Sequence, residues 1–442
     1  MAFDSAMVSL PSAALFLFPP NPNSGFIPPP PAGSTSFAPP IDIPDHVYTA
    51  VLDPKVPITI AAVYAVTAKA LNAYNKSTGK RPWAISKTLA FRWFVIAHNV
   101  FLAVYSAWTW WGMLGTMRRT VVSPLGPQGA SGFLDSLCQI NGPAGLGNAA
   151  FFSDESNSWH TYSSSPDAVL AADGAPSRFA AGRMWNEGLA FYGWLFYLSK
   201  FYEVFDTLII LAKGKFSSTL QTYHHAGAMM CMWAGMRYMS VPIWIFVFFN
   251  SFIHAIMYTY YTVTAFNIRV PLFIKRSLTT MQITQFVVGA SCAMVHSFIN
   301  YTVPVVAGSQ TDAAPSSASA AASGAAAATS FKDTLARQTM PCITSSGETF
   351  AVWLNVFYLA PLTYLFVSFF IESYLRRSNA SQGGRRGAAA ASGVAARRLS
   401  NNVQLAEKAG WDAARGVRRE VYGEGNQEAV VVDGKRRTLR RG

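Results

Sequence analysis

Two adjacent histidines, His224 and His225, lie in a stretch of the chain that is otherwise rich in apolar residues. The ordinary pKa of an imidazole is about 6.5, so near neutral pH it is a competent acceptor of a proton or an acyl group. Neighbouring residues on a helix point about 100° apart, which puts Gln221 on the face of His225 and turns His224 elsewhere. One histidine could therefore react while the other orients it.

Three ionisable residues precede the histidine pair. Lys200, Glu203 and Asp206 recur every three residues and would share one slowly rotating helical stripe, with Thr207 beside it. An ionisable group in mid-membrane costs at least about 2.5 kcal/mol unless it faces a protein-lined or hydrated interior. Three such groups in one segment indicate a functional site, although a buried ion-pair lock between helices would explain them too.

Two further polar stripes follow, each with the three- or four-residue spacing that puts side chains on one helical face. Their members are Asn250, His254, Tyr258 and Tyr261 in the first stripe, and Thr279, Gln282 and Gln285 in the second. The tyrosines could equally be interfacial aromatic residues, and the amides could simply join helices by hydrogen bonds.

The elements that must position these residues are predicted to be membrane-spanning helices. The 442 residues are 51% hydrophobic and 13% charged, more apolar than one soluble core of this length needs. A span requires about 20 apolar residues. Five windows without Asp, Glu, Lys or Arg reach that length, and two weaker windows bring the total to seven. The five are 93–117, 216–236, 238–268, 277–311 and 349–371, and the two are 56–68 and 188–211. The predicted fold class is an all-α integral membrane protein.

The distribution of charge predicts the orientation of the spans. The net charge is +13, and residues 376–442 carry fifteen Lys or Arg against six Asp or Glu. The connections before the second, fourth and sixth spans are also basic. By the positive-inside rule this side is cytoplasmic and the N-terminus is luminal. A basic tail on a membrane protein acts as an orientation signal or contacts anionic lipid, so no nucleic-acid partner is expected.

Composition divides the chain into three regions. Residues 1–47 are rich in Pro, Ser and Phe and are predicted to be a disordered luminal arm. Residues 48–375 form the seven-helix domain, with luminal insertions at 118–186 and 306–347. Residues 376–442 have the Arg-, Ala- and Gly-rich composition of a disordered cytoplasmic tail.

Cysteines and histidines limit the metal chemistry of the chain. Two of the four cysteines, Cys138 and Cys342, fall on the luminal side, where a disulfide is permitted, but the sequence leaves their pairing open. Only seven histidines occur and none forms an HxxxH pair, which argues against a membrane di-iron desaturase. A metal site at His224, His225 and His254 with a carboxylate stays an alternative, and no metal is expected.

The four polar motifs, in this order and each on its own predicted span, resemble the signature motifs of the ELO family of fatty-acid elongases. They are Lys200-x-x-Glu203-x-x-Asp206-Thr207, Gln221-x-x-His224-His225, Asn250-x-x-x-His254-x-x-Met257-Tyr258-x-Tyr260-Tyr261 and Thr279-x-x-Gln282-x-x-Gln285. The chain departs from the family pattern at Gln221, where many members have a third histidine, a variant that often accompanies enzymes for polyunsaturated substrates. Chain-length preference has no motif.

The resemblance implies a seven-helix enzyme of the endoplasmic-reticulum membrane that encloses a narrow acyl-CoA tunnel. It would condense a long-chain acyl-CoA with malonyl-CoA, giving 3-oxoacyl-CoA, CO2 and CoA, without a cofactor. A ketoacyl reductase, a dehydratase and an enoyl reductase would act as separate partners, and the oligomeric state is left open. A seven-helix transporter or receptor is the alternative, but span 7 has no lysine for a retinal Schiff base and no internal repeat is found.

On this interpretation His224 takes the acyl group from CoA. His254, Asn250 and Gln282 are candidate donors to the developing oxyanion, while His225, Glu203 and Asp206 would orient imidazoles or move protons. The predicted catalytic residues are His224, His225, His254, Glu203 and Asp206. The predicted substrate-binding residues are Lys200, Thr207, Gln221, Asn250, Tyr258, Tyr261, Gln282 and Gln285.

Overall fold

Apolar segments form the long helices of the computed structural model, which describes residues 6–34, 39–305 and 336–371. The helices are α1 (Asp45–Val51), α2 (Lys55–Ser77), α3 (Leu89–Thr120), α4 (Gly129–Cys138), α5 (Pro166–Val169), α6 (Ala190–Tyr202), α7 (Val204–Ala212), α8 (Thr219–Arg237), α9 (Ile243–Ala265), α10 (Leu272–His296) and α11 (Ser346–Phe370). The strands are β1 (Ala6–Val8), β2 (Ala150–Ser153), β3 (Ser158–Thr161), β4 (Ile299–Val305) and β5 (Ala336–Pro341).

Five helices among the described residues are long and apolar enough to cross a membrane, namely α2, α3, α9, α10 and α11. The predicted window 56–68 proves to be part of the longer α2. Two predicted windows do not yield helices of this kind. Glu203 interrupts the window 188–211 between α6 and α7, and α8 carries the polar residues of the histidine motif. The structure is thus predominantly helical with five candidate spans, which is consistent with the predicted membrane fold, and a total of seven is not confirmed.

Helix α6 lies at the centre of the candidate spans. Nearly every residue of α6 is buried, and it packs against α3, α8 and α9. Around it, α3 packs along α9, α9 contacts α10, α10 contacts α11, and α8 joins α11 to α2. Because α6 is surrounded by protein and α7 packs against α2, α6 and α8, this segment can carry ionisable residues that a lipid-facing helix would not tolerate.

One end of the bundle, here called the basic end, carries the short connections α2–α3, α7–α8 and α9–α10. The amide of Asn75 donates to the carbonyl oxygens of Leu211 and Lys215 at 2.8 and 3.0 Å, which ties the first two connections together. Gly214 has a φ of +72°, and a Cβ there would lie 2.5 Å from the carbonyl oxygen of Lys80, so only glycine fits this close approach.

The opposite end, here called the sheet end, carries β-structure that the sequence did not predict. The predicted span 277–311 is wrong beyond His296, where α10 ends and β4 begins. Strand β4 pairs with both β1 and β5 in one antiparallel sheet, and β2 pairs with β3 in a hairpin. Strand β4 was mistaken for helix because both of its faces are at least partly buried and it therefore reads as apolar.

Covalent and ionic links hold the sheet end together. Cys138 at the end of α4 and Cys342 after β5 form a disulfide, which settles the pairing that the sequence left open. Beside it, the buried carboxylate of Asp135 accepts from Arg183 at 2.6 Å and from the Tyr301 hydroxyl at 2.9 Å. Burial and the Asp135 charge raise the pKa of Tyr301 well above its usual value, so its hydroxyl stays protonated and donates.

The N-terminal arm has a defined conformation in its described residues, where disorder was predicted. Trp185 is fully buried and its indole N–H donates to the carbonyl oxygen of Ile27 at 2.8 Å. The Arg178 guanidinium donates to the carbonyl oxygen of Pro29 at 2.6 Å and pairs with Asp45 at 2.8 Å. These partners come from the segment 118–186, so composition alone did not reveal them. Residues 306–335 and the tail from 372 onward lie outside the described residues, so their predicted character is not addressed.

Candidate active site

Glu203 and Lys200 form a buried ion pair at the centre of the bundle. The Lys200 ammonium donates to Glu203 Oε1 at 2.7 Å, and both side chains are almost fully buried. Ser199 also donates to this oxygen at 3.2 Å. The spacing of three residues puts the two charges on one helical stripe, so the ion pair needs no residue from another helix.

Helix α9 brings its polar stripe against this ion pair. The Lys200 ammonium lies 3.2 Å from Asn250 Oδ1 and 3.3 Å from His254 Nδ1. An ammonium has no acceptor, so His254 Nδ1 must accept and the proton of the neutral ring resides on Nε2. Asn250 Nδ2 in turn donates to Gln285 Oε1 on α10 at 3.3 Å. The chain of contacts therefore links α6, α9 and α10.

His225 faces the other carboxylate oxygen of Glu203. Its Nδ1 lies 3.9 Å from Glu203 Oε2, beyond hydrogen-bond distance. Among the described residues neither atom has a hydrogen-bond partner, although both are buried. Such atoms are costly to leave unpaired. A small movement of α8, or a hydrogen-bonding group placed between the two atoms, would link His225 Nδ1 to Glu203 Oε2.

His224 points away from Glu203, as the helical geometry predicts, and contacts α11. Its Nδ1 lies 2.9 Å from the Tyr358 hydroxyl, and that hydroxyl also donates to the carbonyl oxygen of His224 at 2.9 Å. Gly227 leaves the space that the Tyr358 ring needs for this contact, because a Cβ at position 227 would lie 2.2 Å from the ring. Among the residues that the structure describes, none forms a hydrogen bond with Nε2 of this imidazole.

Asp206, one turn beyond Glu203, is held from two sides. His98 Nε2 on α3 lies 2.8 Å from Asp206 Oδ1, and the Tyr258 hydroxyl on α9 donates to Oδ2 at 2.6 Å. The His98 side chain is fully buried and Asp206 is 20% exposed. The carboxylate is therefore fixed by buried groups while one side of it remains accessible.

Most of the predicted site residues line a cavity of about 640 Å³ that reaches from the site to the basic end. Two lysines from the connections, Lys213 and Lys275, line it together with the polar motifs. The lining residues from the motifs are Glu203, Asp206, Gln221, His224, His225, Asn250, His254, Met257, Tyr258, Tyr260, Tyr261, Thr279, Gln282 and Gln285. The four polar stripes that were predicted to face inward thus share one cavity.

A narrow apolar cleft of about 40 Å³ continues from this cavity toward the sheet end. Most of its walls are apolar, with Phe196, Phe246 and Leu359 among them. His224 and Asn250 line both the cavity and the cleft. His224 therefore lies where the large cavity, which the polar motifs line in part, meets the apolar cleft.

The predicted residues do not all contribute in the same way. Thr207 is buried and shares a 2.8 Å hydrogen bond with the Tyr64 hydroxyl on α2, away from the cavity lining. Lys200 lines the apolar cleft rather than the large cavity. Gln282 lines the cavity, and its amide lies 3.2 Å from the Met257 sulfur.

Two residues in contact with the site were missed by sequence reasoning. His98 carried a usable signal, since an ionisable residue inside a predicted span indicates function. Tyr358 carried none, because tyrosine is common in an aromatic-rich span. In the part of the chain that the structure describes, no group of His, Cys, Asp and Glu side chains is arranged to hold a metal ion. The Lys200 ammonium contacts both Glu203 Oε1, at 2.7 Å, and His254 Nδ1, at 3.3 Å.

Fold and site together define a class, that of helical membrane proteins with a buried histidine and carboxylate site open to one basic end. The chain belongs to the ELO family, described as the GNS1/SUR4 family, whose model matches residues 49–382. The match covers most of the chain and includes all four polar motifs. Family membership confirms the resemblance derived from those motifs.

Curated relatives are fatty-acid elongases. Fatty acid elongase 2 of Trypanosoma brucei brucei is 29% identical over 195 residues, which is 44% of this chain and 59% of the relative. Very long chain fatty acid elongase 7 of Drosophila melanogaster is 33% identical over 142 residues, 31% of this chain and 36% of the relative. Human very long chain fatty acid elongase 3 is 37% identical over 107 residues, 24% of this chain and 39% of the relative. The aligned regions span between about a third and three fifths of these relatives.

Proposed function

We propose that the protein is a fatty-acid elongase of the acyltransferase class, which condenses a long-chain acyl-CoA with malonyl-CoA to give 3-oxoacyl-CoA, CO2 and CoA. Membership of the ELO family supports fatty-acid elongation as the overall process. The observation that carries the reaction is the position of His224 where the large cavity, lined in part by the four polar motifs, meets the apolar cleft. A thioester carbonyl at this boundary would have its CoA in the cavity and the first carbons of its acyl tail in the cleft, and the side chains that line the cleft would separate to admit a long chain.

In the first step His224 Nε2 attacks the thioester carbonyl. A nitrogen–carbon bond forms, the carbon–sulfur bond breaks, and CoA leaves as a thiolate that takes up a proton. In the second step malonyl-CoA loses CO2, and the electron pair of the broken carbon–carbon bond forms an enolate. The enolate carbon attacks the acyl-imidazole, the carbon–nitrogen bond breaks, and the imidazole is regenerated.

Neighbouring residues have roles that fit their contacts. Because Lys200 keeps the proton of neutral His254 on Nε2, His254 is a donor suited to an oxyanion, and Asn250 and Gln282 are further amide donors. Glu203, His225 and Asp206 orient imidazoles or move protons. The residues assigned to substrate binding are Lys200, Thr207, Gln221, Asn250, Tyr258, Tyr261, Gln282 and Gln285. Thr207 would act indirectly, by fixing the start of α7 through Tyr64.

The reaction uses acyl-CoA and malonyl-CoA as substrates and needs neither a metal ion nor another cofactor. Lys213 and Lys275 at the mouth of the cavity are suited to the phosphates of CoA, since ammonium groups pair with phosphate oxygens. Reduction and dehydration of the product would fall to a ketoacyl reductase, a dehydratase and an enoyl reductase as partner enzymes. A homo-oligomer within the membrane lipid is compatible with this scheme.

For the topology we propose seven spans, with the α6–α7 segment crossing the membrane inside the ring of helices and α8 crossing it between α2 and α11. The basic connections at one end, with the basic tail, favour a cytoplasmic basic end and a luminal N-terminus in the endoplasmic-reticulum membrane. The disulfide between Cys138 and Cys342 at the opposite end suits the oxidising lumen.

Membranes from cells that express the protein provide the test. They should release CO2 from malonyl-CoA labelled in its free carboxylate, only when long-chain acyl-CoA is also present, and should form 3-oxoacyl-CoA. Membranes with an equal amount of His224→Ala should show at least about a hundredfold less release, the range expected when a central group of a catalytic set is lost. Equal release from both membranes would contradict the proposal, and substrate uptake without release would favour a transporter.

A further inference from the structure

A segment of the N-terminal arm has the composition of a membrane-inserted loop. Between Asp4 and Asp42 the chain contains no charged residue. Within the described part of this stretch, Val8, Leu10 and Phe18 are 83%, 84% and 82% exposed, and Leu17 is 55% exposed. Large apolar side chains this exposed and this close together mark a surface that something apolar covers.

Both ends of this segment are fixed at the level where two candidate spans leave the membrane. At one end, the Asn300 amide donates to the Ser9 hydroxyl at 2.7 Å, four residues after α10 ends at His296. At the other end, the main-chain N–H of Asn21 donates to the Ser346 hydroxyl at 3.1 Å, in the first turn of α11. Residues 10–20 therefore begin and end at the same surface.

Between these ends the arm packs along the first two turns of α11. The rings of Phe18 and Phe350 are 6.1 Å apart, and those of Phe16 and Trp353 are also 6.1 Å apart. From Ser346 to Trp353 the helix advances about 10 Å, at 1.5 Å per residue. The arm thus reaches the second turn of a candidate span, beside Phe357, whose exposed side chain continues the same surface.

Part of the backbone of the segment is satisfied within the segment itself. Buried N–H and C=O groups in lipid must find partners within the protein. Residues Ala13–Phe16 form a short 3₁₀ helix, capped by the Ser12 hydroxyl. Pro11, Pro19 and Pro20 have no N–H to satisfy. In contrast, the Arg237 guanidinium donates to the carbonyl oxygen of Pro22 at 2.8 Å, which marks the polar level just above the loop.

We propose that residues 10–18 form a re-entrant loop inserted into the bilayer leaflet at the sheet end, with Leu10, Leu17 and Phe18 in contact with lipid acyl chains. The loop would anchor the arm, and with it Ile27 and the Trp185 contact, against the ends of α10 and α11. This anchor is independent of the reaction proposed above, because it depends only on the arm and on a candidate span.

Site-directed spin labelling of the full chain in lipid vesicles tests the loop. Cys231 and Cys292 are replaced by alanine, the disulfide is retained, and a nitroxide is attached at Leu10→Cys or Phe18→Cys. Collision with oxygen, which concentrates in lipid, is compared with collision with a water-soluble nickel chelate. Leu125→Cys, at a site that is 96% exposed between α3 and α4, is the aqueous reference, and Phe357→Cys, at a 69% exposed site on α11, is the lipid reference.

Labels at positions 10 and 18 should match position 357, with oxygen collisions severalfold above nickel collisions, and should differ from position 125. Nickel access equal to that at position 125 would overturn the loop, because the segment would lie in water. Low access to both reagents would also overturn it, since another protein segment or a second copy would then cover the surface. Where a labelled variant elutes as aggregate in gel filtration, Leu17→Cys replaces it.

Discussion

The hydroxyl of Tyr358 contacts both Nδ1 and the carbonyl oxygen of His224, each at 2.9 Å. A tyrosine hydroxyl has one proton to give. When it donates to the carbonyl, it must accept from Nδ1–H, and the proton of the imidazole is held on Nδ1. Nε2 is then unprotonated and available as a nucleophile, because the partner of one ring nitrogen sets the state of the other.

Removing this hydroxyl should slow the reaction without unfolding the protein. In Tyr358→Phe we expect kcat for acyl-CoA-dependent CO2 release to fall about five- to tenfold, corresponding to one lost hydrogen bond of about 1–1.5 kcal/mol. The KM for malonyl-CoA should change little. Tyr223→Phe is the matched control, since the Tyr223 hydroxyl contacts the main chain of Tyr358 at 3.2 Å and not the imidazole. An equal fall of kcat in both variants would contradict this role of the Tyr358 hydroxyl, because it would show that kcat depends only on the packing of α8 against α11.

The contact between His98 and Asp206 gives a second prediction. His98→Leu should lower kcat about tenfold or more, because it removes a hydrogen bond to a carboxylate of about 1.5–3 kcal/mol. His98→Gln, whose amide can still donate, should retain more activity. In a double-mutant cycle, His98→Leu and Tyr258→Phe should be non-additive, since both groups hold the same carboxylate. Strict additivity of the two effects would contradict this prediction, because it would show that His98 and Tyr258 do not act through the same carboxylate.

Variants of the Lys200–Glu203 pair distinguish its effect on stability from its effect on catalysis. Lys200→Met leaves a buried carboxylate without its main partner, and we expect the free energy of unfolding to fall by about 3–5 kcal/mol. Lys200→Met combined with Glu203→Gln removes the uncompensated charge and should recover much of that loss, yet stay inactive. Thermal unfolding of the purified protein, read beside CO2 release, measures both effects. A double variant no more stable than Lys200→Met would refute the assigned ion pair.

Phe246 is predicted to limit the length of the acyl chain. It lines both the cleft and a smaller cavity nearer the sheet end, which Gly235 and Val352 also line. Phe246→Ala should join the two spaces and shift products toward longer chains. Gly289→Val should do the reverse, since even a Cβ there would lie 2.9 Å from the Phe246 ring, and each excluded methylene costs about 1–3 kcal/mol of discrimination.

Product chains are measured by gas chromatography of lipids from a host without its own elongases. Val288→Ala, at an exposed position next to Gly289, is the control and should leave the distribution unchanged. An unchanged distribution in Phe246→Ala as well would exclude this ring as the end of the acyl site.

Sequence spacing predicted which residues of the site face inward, because helical periodicity relates sequence position directly to a face. Lys200 and Glu203 pair within one segment, so their contact was already contained in their spacing. The contacts of Lys200 with Asn250 and His254 could be expected because all four polar stripes were predicted to face the interior of the same helix bundle. The contacts of Tyr358 and His98 could not be derived, since they depend on which helices are neighbours.

The sheet end was the least predictable part of the fold. Strand β4 continues the apolar pattern of α10, so composition alone did not separate the strand from the span. The N-terminal arm shows the same difficulty, because a segment rich in proline and without charge resembles a linker in composition. Its order depends on distant partners, with Trp185 and Phe350 among them.

The central claim is that His224 carries the acyl group during turnover. Purified protein incubated with long-chain acyl-CoA alone, then denatured in acid and examined by intact mass, should gain the mass of one acyl group. Peptide mapping should place this mass on His224, and malonyl-CoA should remove it. The adduct should be absent from His224→Ala and reduced in Tyr358→Phe. Full turnover by the parent protein with no adduct at any time before malonyl-CoA is added would contradict the account.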